Sequence, residues 1–220
     1  MSDFTNTLAE LNRQVCEQMP MTNLAILRRS VAMLRKSGLV DRCLQVGETV
    51  PDFWFADRKD GEVGFHALLK NGPVVVSFFR GFWCPFCKAE FDAWKRLCGE
   101  LAQHSAKLIA IAPELIESDC CEENFFAVAD QGNLIAEKFG VVYSLSSQEK
   151  QLFASLGLKI NELDQAQEWQ LPLPCTYLVD TDSTVLKRYV AEDYKVRMDP
   201  EEIIIELRQL SNDRQTSHLE

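Results

Sequence analysis

No apolar stretch in the 220-residue sequence approaches the roughly 18 residues that a membrane-spanning helix requires. The N-terminal "MSDFTNTLAELNRQ" lacks the basic region and apolar core of a secretory signal. Positive charge is also short: 23 Lys and Arg face 33 Asp and Glu, a net −10, which argues against nucleic acid or an anionic membrane as partner. The chain has only three histidines, no second C-x-x-C and no H-x₃₋₅-H, so no zinc-type ligand set is expected and no metal. There is no internal repeat and no low-complexity linker. The eight cysteines are irregularly spaced in a chain too long to need disulfide staples, so a reducing cytosol is expected, with most of them as small buried hydrophobes.

Residues 1–44 read as a helical hairpin. Phe4, Leu8, Leu11, Val15 and Met19 form one stripe, and Leu24, Leu27, Val31 and Leu34 a second. Pro20 separates the two helices and Gly38 ends the second. The stripes must be buried, on the main domain or on a second copy of the chain, which would make a homodimer. Residues 45–212 read as one α/β domain and 213–220 as a frayed tail. In it, "GPVVVSFF" and "KLIAIA" are buried strands. "FFAVAD" is a short strand, and "PCTYLVD" and "STVLKRYV" form a hairpin. Phe91, Trp94, Leu97 and Leu101 mark a helix, as do Ile203, Ile204, Leu207 and Leu210; "ELIESDCCEEN" is expected to be helical. The order implies a mixed central sheet flanked by helices.

The chemistry points to Cys84-Pro85-Phe86-Cys87, directly after the first buried strand. A sulfur at a strand-to-helix junction meets unpaired N–H groups and the positive end of the helix dipole, and both favour the thiolate. Cys84 is expected at the exposed N-cap and Cys87 one turn in, shielded. Pro85 suits the first helical turn. This arrangement suits thiol–disulfide exchange, with Cys84 attacking and Cys87 resolving through a Cys84–Cys87 disulfide, and no other cofactor. Trp83 is a candidate docking surface. Pro174 precedes a buried strand, where a cis bond is one reading and a trans first-strand proline the other.

"GPVVVSFFRGFWCPFCKAEF", "LPLPCTYLVD", "DYKVRMDPEEII" and the "VGETVPDF" entry together resemble the peroxiredoxin-like branch of the alkyl hydroperoxide reductase C / thiol-specific antioxidant family. That resemblance implies a thioredoxin-like fold and an antioxidant thiol redox role. It also implies a disulfide or peroxide substrate, with thioredoxin or glutathione as electron donor. It supports two alignments. In a thioredoxin-type alignment Cys84 is the nucleophile, Cys87 the resolver and Pro174 a substrate-positioning cis-proline. In a peroxiredoxin-type alignment, to F-Y-P-x-x-x-T-x-x-C-x-x-E, Cys87 is the peroxidatic cysteine and Glu90 the following glutamate. Arg80 then replaces the pattern's proline, Cys84 its threonine, and Pro174 an arginine that often precedes the strand. Arg80 could supply charge from the other side.

Disulfide exchange is the favoured reading, a peroxidase the alternative, and a non-enzymatic binding module the third. Cys175 is a third thiol at the site or a small residue in a tight place. Cys98 reads as core, and Cys16, Cys43, Cys120 and Cys121 as packing or surface thiols. Cys43 is a weak candidate for a remote resolving cysteine. Arg197 is expected to pair with its acidic neighbours. His66, His104 and His218 have no expected link to the site.

Overall fold

The computed structural model describes residues 2–57, 61–114, 123–162 and 168–217. The expected helix over "ELIESDCCEEN", with Cys120 and Cys121, falls largely outside them, as does His218.

Helix α1 spans Asp3–Gln18 and α2 Met21–Ser37. The Ser2 hydroxyl accepts the Thr5 N–H at 3.1 Å and starts α1. Pro20 starts α2, and Gly38, at φ +65°, ends it where a side chain would be strained. A single turn, α3 (Leu39–Arg42), follows. The main domain then runs β1 (Trp54–Asp57), β2 (Gly61–Gly64), α4 (Phe65–Leu69), β3 (Val74–Phe78), α5 (Pro85–Gln103), β4 (Lys107–Ala112) and β5 (Phe125–Ala129). It continues with α6 (Leu134–Lys138), β6 (Val142–Ser144), α7 (Ser147–Ser155), β7 (Gln170–Pro172), β8 (Cys175–Val179), β9 (Val185–Val190) and α8 (Pro200–Ser217).

The central sheet has the order β5-β4-β3-β8-β9. Strand β3 is parallel to β4 and antiparallel to β8, so the sheet is mixed, as expected. Each of the five β3 residues is buried, which accounts for the uninterrupted apolar run. One face packs under α4 and α6 through Phe53, Phe65, Phe78 and Phe139. The other carries α5 and α8 through Phe79, Trp94, Leu101, Ile203 and Leu207.

The N-terminal stripes are buried within the same chain, on two different neighbours. Leu8, Leu11 and Val15 of α1 pack on the α5–α8 face. Leu27 of α2 packs on Leu145, Leu152 and Phe153 around α7. A buried staple joins α2 to α7: Ser30 Oγ donates to Glu149 Oε1 at 2.5 Å. Glu149 Oε2 meanwhile accepts Ser146 N–H at 2.9 Å, completing a capping box on α7.

Three details differ from expectation. Strands β6 and β7 form a small sheet of their own, too short to leave a period in the sequence. Helix α8 continues to Ser217, into the stretch expected to fray, and Arg214 pairs with Asp180. No peptide bond among the described residues is cis, so Leu173–Pro174 is trans. A proline at a strand entrance, where no ladder N–H is required, fits there without a cis turn.

Candidate active site

Strand β3 delivers the chain to the site through Phe79 and Arg80. Gly81 then turns it, at φ +141°, where a Cβ would collide with the Trp83 indole. The Phe82 N–H donates to the Glu114 carboxylate, which fixes the loop. Cys84 is the N-cap of α5, with Pro85 in the first turn, and Lys88 N–H donates to Cys84 O at 3.1 Å. Cys87 lies one turn further in, and both carry free thiols.

The expected exposure of Cys84 is not found: it is 2 % exposed and Cys87 0 %. Trp83 and Tyr194 from the main domain, with Val15, Met19 and Leu27 from the N-terminal helices, close over Cys84. Between them lies a pocket of about 140 Å³. Cys84 lines it, and Cys87 is not among its lining residues.

Two guanidinium groups are buried here. Arg80, 2 % exposed, lies 4.7 Å from the Tyr194 ring centroid and 5.0 Å from that of Trp83. It shares a hydrogen bond with the Tyr143 side chain. Arg197 comes from the segment between β9 and α8. Its Nη2 donates to Cys87 Sγ at 3.3 Å, and its Nη1 is ion-paired with Glu90 Oε2. Tyr194 O accepts from Arg197 Nε at 3.0 Å and from Nη2 at 2.9 Å. Glu90 Oε1 also receives longer contacts of 3.4 Å from the Ser77 and Thr176 hydroxyls.

Arg197 corrects the expectation of local pairing. It reaches across the fold to Glu90 and Cys87 because both are buried and only a buried cation satisfies them. No short-range spacing signals this contact; the "VRMDPEE" neighbourhood points the other way. Of the two readings of Cys175, the structure fits the small buried residue and not the third thiol at the site. Alternation along β8 puts Thr176 on the Glu90 face and sends Cys175 to the opposite core, with Cys43, Phe78 and Tyr177. Burial pushes the Cys175 thiol well above its usual range and that of Cys43 up to about 11, so neither is a ready nucleophile. The Cys43 thiol donates to Gly140 O at 3.2 Å and lies in the core cluster with Cys175, while Cys84 and Cys87 belong to the cluster on the other face of the sheet. Pro174 enters β8 beside the end of β3, where Phe78 pairs with Cys175. Cys98 is buried in α5. His66 and His104 contact Val50 O and Ser211 Oγ, away from the thiols. Among the described residues, no three His, Cys, Asp or Glu side chains gather as a metal site.

The two sulfurs form a polarised chain. Arg197 donates to Cys87, and Cys87 is hydrogen-bonded to Cys84. That bond, with the charges of Arg80 and Arg197, lowers Cys84 to about 5 against the cost of burial. Cys87 is pushed the other way, chiefly by burial and then by Cys84 itself. The opposed shifts favour the negative charge on Cys84, at the helix N-cap, over Cys87.

Comparison with known proteins agrees with this geometry. The AhpC/TSA family profile matches residues 46–188. The thiol-disulfide oxidoreductase ResA of Bacillus thuringiensis is 21 % identical over 157 residues, covering 71 % of this chain and 76 % of its own. The crystal structure of the peroxidoxin BcpB of Mycobacterium tuberculosis superposes with a TM-score of 0.54 at 22 % identity, over 76 % of this chain and 97 % of that one. A yeast mitochondrial 1-Cys peroxiredoxin, described as resolved via glutathione/thioredoxin systems, gives a TM-score of 0.55 at 16 % identity, over 77 % and 78 % of the two chains. No helix among the described residues is long and apolar enough to cross a membrane. With a thioredoxin-like sheet, a cysteine pair at the head of α5 and a family match over most of its length, the chain belongs to the AhpC/TSA family and is a thiol-based oxidoreductase.

Proposed function

We propose that the protein is a dithiol–disulfide oxidoreductase in which Cys84 is the nucleophile and Cys87 the resolving thiol. The observation that carries this reading is that Cys84, the more acidic sulfur, is the one that opens onto the pocket. The Cys84 thiolate attacks one sulfur of a substrate disulfide. A mixed disulfide forms, and the other half leaves as a thiolate that takes up a proton. Cys87 then gives up its proton and attacks Cys84. The Cys84–Cys87 disulfide forms and the second half-substrate leaves as a thiol, so the enzyme is oxidised by two electrons and the substrate reduced by two. No other cofactor is required. A thioredoxin or glutathione system returns the electrons, the two systems named for the yeast mitochondrial peroxiredoxin.

Arg197, 3.3 Å from Cys87 Sγ, favours a second reading, in which Cys87 is the peroxidatic cysteine. The thiolate attacks the near peroxide oxygen, the O–O bond breaks, and the leaving alkoxide or hydroxide takes a proton. The resulting sulfenic acid condenses with the other thiol, releasing water. Rapid mixing of the reduced protein with a small disulfide and with hydrogen peroxide separates the two, with Trp83 fluorescence as reporter. Disulfide exchange that vanishes in Cys84→Ser and survives as a trapped mixed disulfide in Cys87→Ser supports the first reading. Fast peroxide oxidation that survives Cys84→Ser and vanishes in Cys87→Ser refutes it.

A further inference from the structure

The pocket over Cys84 is small and has an unusual origin. At about 140 Å³ it is close in size to the cavities of about 150 Å³ that take up a benzene-sized apolar molecule. One wall is Val15 of α1, Met19 just after it and Leu27 of α2; the facing wall is Phe153 and Leu158 around α7. The first wall lies outside residues 46–188, so this chain adds it to the part it shares with its family. The Ser30–Glu149 staple holds α2 against α7 and so holds the wall in place.

The pocket's polar groups are few. Among the described residues no acidic side chain lines it. Arg80 is stacked against aromatic rings and acts as counter-charge to Cys84. Arg80 Nε and Trp83 Nε1 are buried away from the pocket space and offer it no donor. A charged arm entering the pocket would lose its hydration among leucine, valine and phenylalanine side chains, with little to replace it.

We infer that this pocket selects the substrate by its substituent: the bond Cys84 attacks must carry a compact, uncharged, apolar group. Oxidised glutathione and protein disulfides are disfavoured as oxidants while α1 and α2 are seated, and the thioredoxin or glutathione donor must reach the Cys84–Cys87 disulfide with those helices displaced. The inference rests on Cys84 being the nucleophile proposed above, and the chemical step is the one already written.

The test uses the reduced full chain and four probes: dimethyl disulfide, dipropyl disulfide, oxidised glutathione and tert-butyl hydroperoxide. Each rate is divided by that of a simple free thiol at equal thiolate concentration, which removes intrinsic reactivity. Dipropyl disulfide is expected to react at least tenfold faster than oxidised glutathione on this scale. Met19→Trp and Leu158→Trp fill the pocket from opposite walls, and each should lower the dipropyl-to-dimethyl ratio at least fivefold. Leu27→Ala widens it and should narrow the gap to oxidised glutathione. Melting curves confirm that each variant is folded, and agreement between the two tryptophan variants guards against a local packing fault.

Oxidised glutathione reacting as fast as dipropyl disulfide overturns the inference. So does an equal slowing of both dialkyl disulfides in the tryptophan variants. Disulfides that react without preference for size or charge would leave the exchange reading standing and remove the pocket's role. A hydroperoxide that reacts with the pocket's preference, while no disulfide reacts, would keep the pocket and remove the exchange reading. No reaction with any probe removes both.

Discussion

Replacing Arg197 with methionine tests the core of the site. The change deletes the ion pair to Glu90 and the bond to Cys87 while keeping the length of an apolar side chain. Glu90 is 2 % exposed, so its charge is left with only the weak 3.4 Å contacts to Ser77 and Thr176. Removing one partner of a buried pair costs about 3–5 kcal/mol. For a chain of this size, roughly 2–4 °C per kcal/mol converts that to a fall in Tm of roughly 6–20 °C. The reverse single change, Glu90→Leu, should cost a similar amount, because it strands the Arg197 charge. The double variant Arg197→Met with Glu90→Leu removes both charges at once, leaving Ser77 and Thr176 to satisfy each other at 3.1 Å. It should recover to within about 1–2 kcal/mol of wild type, since apolar replacement of a whole buried pair is often near neutral. Denaturant unfolding of the four proteins gives the coupling energy directly. A single variant losing less than about 1 kcal/mol, or a double variant as unstable as the sum of the singles, would refute the reasoning.

Other expectations follow from the same geometry. The Cys84 thiol is lowered to about 5, so its alkylation rate in the wild-type protein, followed at pH 4–9 by mass spectrometry of the Cys84 peptide, should level off well below the pH at which an ordinary thiol does; Cys87→Ala removes the hydrogen bond that contributes most and should move the plateau upward. The sign for stability is the same: ionised Cys84 stabilises the fold fully above the unfolded thiol pKa near 8.5–9, and this contribution falls away as pH drops towards 5. Arg80→Met should shift the alkylation profile to higher pH, and an unchanged profile would remove Arg80 as counter-charge. Gly81→Ala places a methyl group against the Trp83 indole, so a changed Trp83 emission and a lower Tm are expected; an unaltered spectrum would show that the loop absorbs it elsewhere. Cys175→Ala should leave the disulfide-exchange rate within about twofold of wild type, since Cys175 faces the opposite core.

Much of this is legible in the sequence where short-range physics decides the outcome. The β-branched run before Cys84 is fully buried in the middle of the sheet, and the helical stripes of residues 4–34 meet the main domain. Cys84 and Pro85 take the N-cap and first-turn positions expected of them. What is not legible depends on tertiary closure. Arg197 has acidic neighbours in sequence, yet its acidic partner in space is 107 residues away along the chain. An N-cap cysteine is ordinarily exposed; here helices from another part of the chain roof Cys84 over. Pro174 beside a cysteine pair suggests a cis bond, yet a strand-entrance proline tolerates trans equally well.

The distance in sequence between Cys87 and Arg197, 110 residues, has a consequence during synthesis. Strand β3 pairs with β8, so the sheet that aims Cys84 is incomplete until residue 179 is available. Arg197 and the Tyr194 ring arrive later still. A chain emerging from the ribosome therefore exposes Cys84 and Cys87 as ordinary thiols, without the buried guanidinium groups that sharpen them. The charge that tunes the two thiols is therefore supplied only once the segment between β9 and α8 has docked on α5.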